Sequence, residues 1–274
     1  MTALKSLAVE EEGEFRMGVE IIGENGGSLS FVLSDASVSL ANAIRRTVIG
    51  EVPTLAIDEV EFYDNTSSLY DEIIAHRLSL VPIVTDLSLL NFKDECSCED
   101  GCPSCEVELS LKKKGPGMVR SDDLKSSNKN FAPIPGVLLA KLGKTQEIDL
   151  KARAVLGRGC DNTRWQAAVM GYKYYPVISI SDDCTVCGDC VKACPRSVLA
   201  VKADKLTVVS ERDCILCRAC SDVCEPGAIK VDGDEHRFIY ELETTGSLKP
   251  REVLSKALDI LKEKADELSS KGMI

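Results

Sequence analysis

The chain reads as an α+β protein of several parts, with a small cysteine module set into a larger body. Three observations predict this. Eight cysteines between 184 and 224 fall into two copies of one pattern. Stretches with strand-like alternation at 15–34, 107–113 and 147–155 precede them. A further strand at 237–243 and a long amphipathic helix from Pro250 follow them. A length of 274 residues with 44 % hydrophobic content is enough for two or three small domains rather than a disordered chain.

The elements follow in order. Residues 15–34 alternate apolar and polar around Gly23-Glu24-Asn25-Gly26-Gly27, which predicts a hairpin. Asp35 and Ser37 are capping candidates for a helix that runs to Ile49 and stops at Gly50. Val38, Ala41, Ile44 and Val48 share one face of it, away from Asn42, Arg45 and Arg46. Pro53 opens a strand to Tyr63, and a short helix over 69–78 ends before Pro82. Residues 91–105 form a cysteine loop, followed by strands at 107–113 and 147–155 with a Pro/Gly-rich stretch around 133–136 between them. The cysteine module occupies about 180–231. Pro250 suits a first helical position. After it, Val253, Leu254, Ala257, Leu258, Leu261, Ala265 and Leu268 recur at helical spacing. That stripe serves either the chain's own core or a partner.

Within the module, Cys184, Cys187, Cys190 and Cys194 are followed by Pro195, and Cys214, Cys217, Cys220 and Cys224 repeat the spacing 30 residues later. C-x2-C-x2-C-x3-C, twice, is the spacing of a ferredoxin with two [4Fe–4S] clusters. Short gaps let three thiolates converge on one cubane, and the fourth turns to the other cluster. Cluster one is then expected on Cys184, Cys187, Cys190 and Cys224, and cluster two on Cys214, Cys217, Cys220 and Cys194. Disulfides or zinc are the competing uses of such cysteines, and a doubled four-cysteine pattern argues against both. One departure is that Cys224 is followed by Glu225 before Pro226.

Cys96, Cys98, Cys102 and Cys105 form a second group, C-x-C-x3-C-x2-C, with Gly101 and Pro103 inside it. Four soft donors on one loop match an all-cysteine structural zinc site, against free thiols or loop disulfides. The gap of one residue is tighter than usual for zinc. Cys160 stands alone and reads as an idle or packed thiol.

The formal net charge of −11 makes the chain a poor grip for DNA or RNA by itself, since such affinity comes from Lys and Arg on phosphates. No run approaches 18 apolar residues and the N-terminus has no apolar signal core, so a cytosolic protein is expected. Thirteen cysteines in a reducing compartment favour metal ligands over disulfides. No nucleophile, phosphate-binding or dinucleotide motif is present, and the two histidines lie far apart at 76 and 236. No catalytic residue is assigned.

NAIRRTVIGEVPTLAIDEVEFYDNTSSLYDEIIAHRLSLVPI (42–83) and KTQEIDLKARAVLGRGCDNTRWQAAVMGYKYYP (144–176) resemble the alpha-like subunits of multisubunit RNA polymerases. The resemblance is strongest to the archaeal D-type members, some of which carry a ferredoxin-like insertion. It implies a dimerisation domain from 1–52 and 236–274, an inserted domain at 53–179, and here a cluster domain at 180–235. It implies pairing with the small alpha-like subunit L through helices matching 38–49 and 250–268, with Ile44, Val48, Leu254, Leu258, Leu261 and Leu268 at the contact. The pair would be the platform for the two large catalytic subunits and the small zinc subunits. The loop at 96–105 resembles the zinc loop of the eukaryotic counterpart. The family's catalytic Mg2+ belongs to the largest subunit. The expected role is therefore assembly of DNA-dependent RNA polymerase, a nucleotidyltransferase, without catalytic residues on this chain. The competing role is an electron-transfer component of an oxidoreductase, for which no flavin, nicotinamide or second redox motif is present.

Overall fold

The computed structural model describes residues 17–98 and 101–272. The first two residues of the expected hairpin and positions 99–100 of the cysteine loop lie outside that range. In chain order the elements are β1 (Gly18–Glu24), β2 (Ser28–Ser34), α1 (Val38–Gly50), β3 (Thr54–Asn65), α2 (Asp71–Ser79), β4 (Glu106–Lys114), β5 (Gly117–Arg120), β6 (Lys125–Ser126), β7 (Leu138–Leu142), β8 (Glu147–Gly157), β9 (Ala168–Ile180), α3 (Asp189–Ala193), β10 (Leu199–Lys202), β11 (Lys205–Val208), α4 (Ala219–Asp222), β12 (Ile229–Thr244) and α5 (Pro250–Ser270). The chain is α+β, as its patterning predicts. Among the described residues, no helix is long and apolar enough to cross a membrane.

The expected hairpin is β1–β2, and Asn25 makes its turn: the side-chain oxygen accepts from the Gly27 and Ser28 amides at 3.0 and 2.9 Å. Ser37 caps α1 by accepting from the Leu40 amide at 3.2 Å, whereas Asp35 adopts a left-handed φ of 57° in the turn before it. Ala41, Ile44 and Val48 are buried along α1, but Val38, expected on the same face, is 41 % exposed in the first turn.

The chain folds as two compact units. One takes residues up to Glu24, Leu29–Asn42 and Gly171–Glu241. Its body is the sheet β1-β2-β12-β9. Phe31 stacks on Tyr240 at 4.9 Å, and Tyr172 meets Phe238 edge-on at 5.5 Å. The cysteine module shares this unit, with a core of Ile178, Val198, Leu199, Ile229 and Val231 packed with buried Cys190, Cys214 and Cys220. No linker separates module from sheet. The strand expected at 237–243 begins at Ile229, so a single 16-residue strand carries the end of the module into the body. β9, whose aromatic run Tyr172–Tyr175 hides any alternation, likewise reaches Ile180 at the start of the module.

The other unit holds Ala43–Met170 and Leu242–Ile274 with the short segment 25–28. Its sheet is β3-β8-β4-β6, accompanied by the β5-β7 ribbon. Alternation drives it: Val107, Leu109 and Leu111 of β4, and Ile148, Leu150 and Ala152 of β8, all point into one core with Ile74 and Leu78 of α2. β5 and β7 flank the Pro/Gly-rich stretch and were not evident from its composition. In the same unit, α5 begins with Pro250 at its first position, and the Glu252 carboxylate accepts from the Lys249 amide at 3.1 Å. Lys264 of α5 forms an ion pair with Glu51.

Candidate metal centres

Cys96, Cys98, Cys102 and Cys105 precede β4, and their four sulfurs lie within 4.8 Å of one another. The Cys96–Cys102, Cys98–Cys105 and Cys102–Cys105 separations are 3.6, 3.5 and 3.8 Å. Bonded sulfurs would sit about 2.05 Å apart. A tetrahedral thiolate site with metal–sulfur bonds of about 2.3 Å has edges of roughly 3.8 Å. The four cysteines therefore have the spacing of a closed tetrahedron and can hold a metal ion. Backbone geometry sets the loop: the Cys102 carbonyl accepts from the Cys105 and Glu106 amides at 2.9 and 3.0 Å, while the Cys102 amide donates to the Cys105 sulfur at 3.3 Å. Gly101 has φ +94°, where any side chain is strained, and a Cβ there would displace the Glu106 carboxylate 2.4 Å away. The thiols share protons. Hydrogen bonds that Cys98 as a thiol donates to Cys96 and Cys105 push it up to about 12, and the Ser104 amide with Cys96 brings Cys102 down to about 7.

The eight module cysteines sort into two cavities. Cys184, Cys187, Cys190 and Cys224 line one, with Val186, Leu206, Val223, Pro226 and Ile229. Cys214, Cys217, Cys220 and Cys194 line the other, with Arg196, Val198, Ile215, Arg218 and Val231. Each cavity draws three thiols from one run and the fourth from the other. Burial raises the Cys190 thiol, with Cys187 and Cys184 adding to it; burial raises Cys220, with Cys194 and Cys214 adding. The backbone repeats as well: Val186 and Leu216 have φ of 56° and 58°, Gly188 and Arg218 have 80° and 61°, and Ser197 and Gly227 have 51° and 62°, each pair 30 residues apart. Four soft donors converging in a mainly apolar pocket are the donor set of an iron–sulfur cubane, so the residues present fit that group.

Sequence reasoning missed three basic side chains near the second cavity, of which Arg218 lines it. Lys173 of β9 donates to the carbonyls of Arg212 and Cys214 at 2.6 and 2.9 Å. Arg212 pairs with Glu20 of β1 at 2.7 Å. Arg218 donates to the Val231 carbonyl at 3.3 Å and pairs with Asp232 at 3.2 Å. Aligning the two cysteine runs would have found Arg212 and Arg218, because their counterparts are Asp182 and Gly188. No sequence signal marks Lys173. Cys160 is an exposed free thiol, and its amide donates to the Gly50 carbonyl at 2.8 Å.

The family model described as the RNA polymerase Rpb3/Rpb11 dimerisation domain matches residues 30–265. The chain belongs to that family. Similar proteins include DNA-directed RNA polymerase subunit Rpo3 of Methanothermobacter thermautotrophicus, 44 % identical over 92 % of this chain and 97 % of the relative. Subunit Rpo3 of Methanosarcina acetivorans is 42 % identical over 92 % and 97 %. Subunit Rpo3 of Pyrococcus furiosus is 37 % identical over 92 % and 95 %.

In this Rpb3/Rpb11 chain the six apolar residues expected at a partner contact divide into two sets. Ile44, Val48 and Leu254 are 5, 0 and 8 % exposed and pack within the chain, so they have almost no surface left to offer. Leu258 and Leu261 are half-buried, and Leu268 is 43 % exposed. Ile260, which the helical stripe did not single out, is half-buried beside them.

Proposed function

We propose that this chain is the non-catalytic assembly subunit of an archaeal-type, cytosolic DNA-dependent RNA polymerase. It pairs with the small alpha-like subunit L, and the pair receives the large catalytic subunits and the small zinc subunits. The observation that carries this reading is the dimerisation-family match over residues 30–265, together with the relatives named as polymerase subunits over nearly their whole length. Nucleotidyl transfer then belongs to the assembled enzyme. Within the chain, residues 1–52 with 236–274 serve as the dimerisation domain, 53–179 as an inserted domain and 180–235 as a ferredoxin-like domain.

On this reading the two crossed cavities hold [4Fe–4S] clusters, which supply one-electron redox chemistry when bound, and the loop at 96–105 holds zinc. The clusters secure a domain of about 50 residues, a size that seldom folds on its core alone. Because that domain lies between the body and the final strand and helix, cluster loss would be felt in assembly, a structural or redox-regulatory role. The reading as a separate electron carrier draws no support from the relatives' names.

The test is co-purification. Leu258 and Leu261 keep surface on α5, and aspartate at both places unpaired charges in a buried seam at a cost of several kcal/mol. The wild-type chain co-elutes with subunit L and the double variant does not. A double variant that still pairs would put α5 in the chain's own core and overturn the seam. Holo and cluster-free chains are then compared for affinity to L and to the remaining subunits; equal affinity and equal transcription would leave the clusters a local stabilising role.

A further inference from the structure

The repeat offers an internal control: two cavities of one fold, with four thiols each, in different electrostatic surroundings. Two of the aligned exchanges lie in the cavity walls. Gly188 and Pro226 line the first cavity, and their counterparts Arg218 and Arg196 line the second. Among the described residues no lysine or arginine lines the first. Arg218 also holds a left-handed φ of 61°, a conformation its counterpart takes at no cost as glycine. A charged side chain is thus kept at a position where the backbone favours glycine.

Three further features point the same way. The Lys173 ammonium sits on the carbonyl of Cys214, itself a second-cavity cysteine, at 2.9 Å. The Leu216 amide donates to the Cys214 sulfur at 3.4 Å. In the first repeat Asp189 stands two residues after Cys187, and the counterpart of Asp189 is the uncharged Ala219. Opposing charges offset part of this. Lys192 pairs with Asp189 at 3.0 Å, Asp232 with Arg218 at 3.2 Å and Glu20 with Arg212 at 2.7 Å. The exchanges Ser181 to Glu211 and Lys192 to Asp222 run the other way, but none of those four residues lines a cavity.

We infer that, of the two clusters proposed above, the one held by Cys214, Cys217, Cys220 and Cys194 is reduced first, because Arg196, Arg218 and Lys173 stabilise the added electron. A thiolate-bound [4Fe–4S] group is anionic when oxidised, and reduction adds one more negative charge. Nearby cations and amide-to-sulfur hydrogen bonds favour the reduced state, while the Asp189 carboxylate opposes it.

The experiment uses the full chain reconstituted without oxygen. Iron and sulfide are counted first. Fewer than two clusters at this stage overturns the cluster reading itself, separately from the inference. Dithionite in the presence of mediators then supplies one electron to each cluster, each dithionite being oxidised to two bisulfite ions, while the reduced clusters are followed by electron paramagnetic resonance. Two one-electron waves are expected, separated by at least a tenfold difference in reduction equilibrium, about 59 mV for a one-electron couple. Cys217→Ser removes the more positive wave and Cys187→Ser the other. Arg218→Gly and Arg196→Gln lower the more positive wave alone. Both keep all eight cysteines, so they report even where a ligand variant loses both clusters. Raising the salt concentration narrows the gap, since the Arg218 side chain is exposed. Two clusters at one potential, or a more positive wave that survives Cys217→Ser, overturns the inference, as does an Arg218→Gly variant with unmoved waves.

Discussion

The phenolic hydroxyl of Tyr240 donates to the backbone oxygen of Ala41 at 2.9 Å, a buried bond between residues 199 positions apart. It ties β12, which follows the cysteine module, to α1, which precedes it. Tyr240 is fully buried and stacks on Phe31, so both its ring and its hydroxyl help bring the returning chain back onto the segment that opened the fold.

Tyr240→Phe keeps the stack and removes the donor, so it is expected to cost about 1 kcal/mol. Tyr240→Ala removes both and is expected to cost about 3–5 kcal/mol. Urea unfolding of the metal-loaded protein under nitrogen measures the two. A Phe variant as stable as the parent would mean that the hydroxyl bond contributes nothing net.

The proposed crossed ligation would give an asymmetric result. Cys194→Ser, although it lies in the first run, is expected to remove the second cluster, and Cys224→Ser the first; either lowers iron from about eight to about four per chain. The Cys214–Cys220 cluster surviving Cys194→Ser would sink the assignment.

For the loop at 96–105, metal analysis is expected to find one zinc per chain, lost in the Cys98→Ser, Cys102→Ser double variant. Gly101→Ala forces a Cβ towards the Glu106 carboxylate at a positive φ and is expected to weaken zinc binding by about tenfold or more, read by competition with a chromophoric chelator. Zinc binding unchanged by the alanine would show that the loop tolerates the shift.

Asp123 provides a pH-dependent test. Burial pushes its carboxyl up, but the Lys113 ammonium, 2.6 Å away, and the Arg120 amide outweigh this and hold it below the ordinary value. A depressed carboxyl stabilises the fold above its unfolded pKa of about 3.9, and that contribution is lost as pH falls through the lower folded value. Asp123→Asn is expected to cost about 1 kcal/mol at pH 7, since the pair is partly exposed. The gap between variant and parent closes as pH falls below about 4. A gap that stays constant from pH 7 to pH 3 would remove the ion pair as its source.

Local rules were sufficient for much of the chain. The period of two in β4 and β8, the Asn25 turn, the Ser37 cap and Pro250 at the head of α5 are each decided by a few neighbouring residues, and the structure keeps them. The doubled cysteine spacing is likewise local, because a short gap limits which sulfurs can share a point; in the fold the eight cysteines line two cavities. Other features depend on residues that meet only in the fold. Burial of Ile44, Val48 and Leu254 against the exposure of Leu268 along two helices of similar patterning is set by what packs over each one. The continuity of β9 and β12 into the module is set by sheet pairing, which overrides the weak alternation of their sequences. The approach of Lys173 to Cys214, 41 residues away, leaves no mark in either neighbourhood. Repeated cysteine spacing underlies two like cavities, the aligned runs already show the arginine exchanges, and only the fold brings Lys173 to the second.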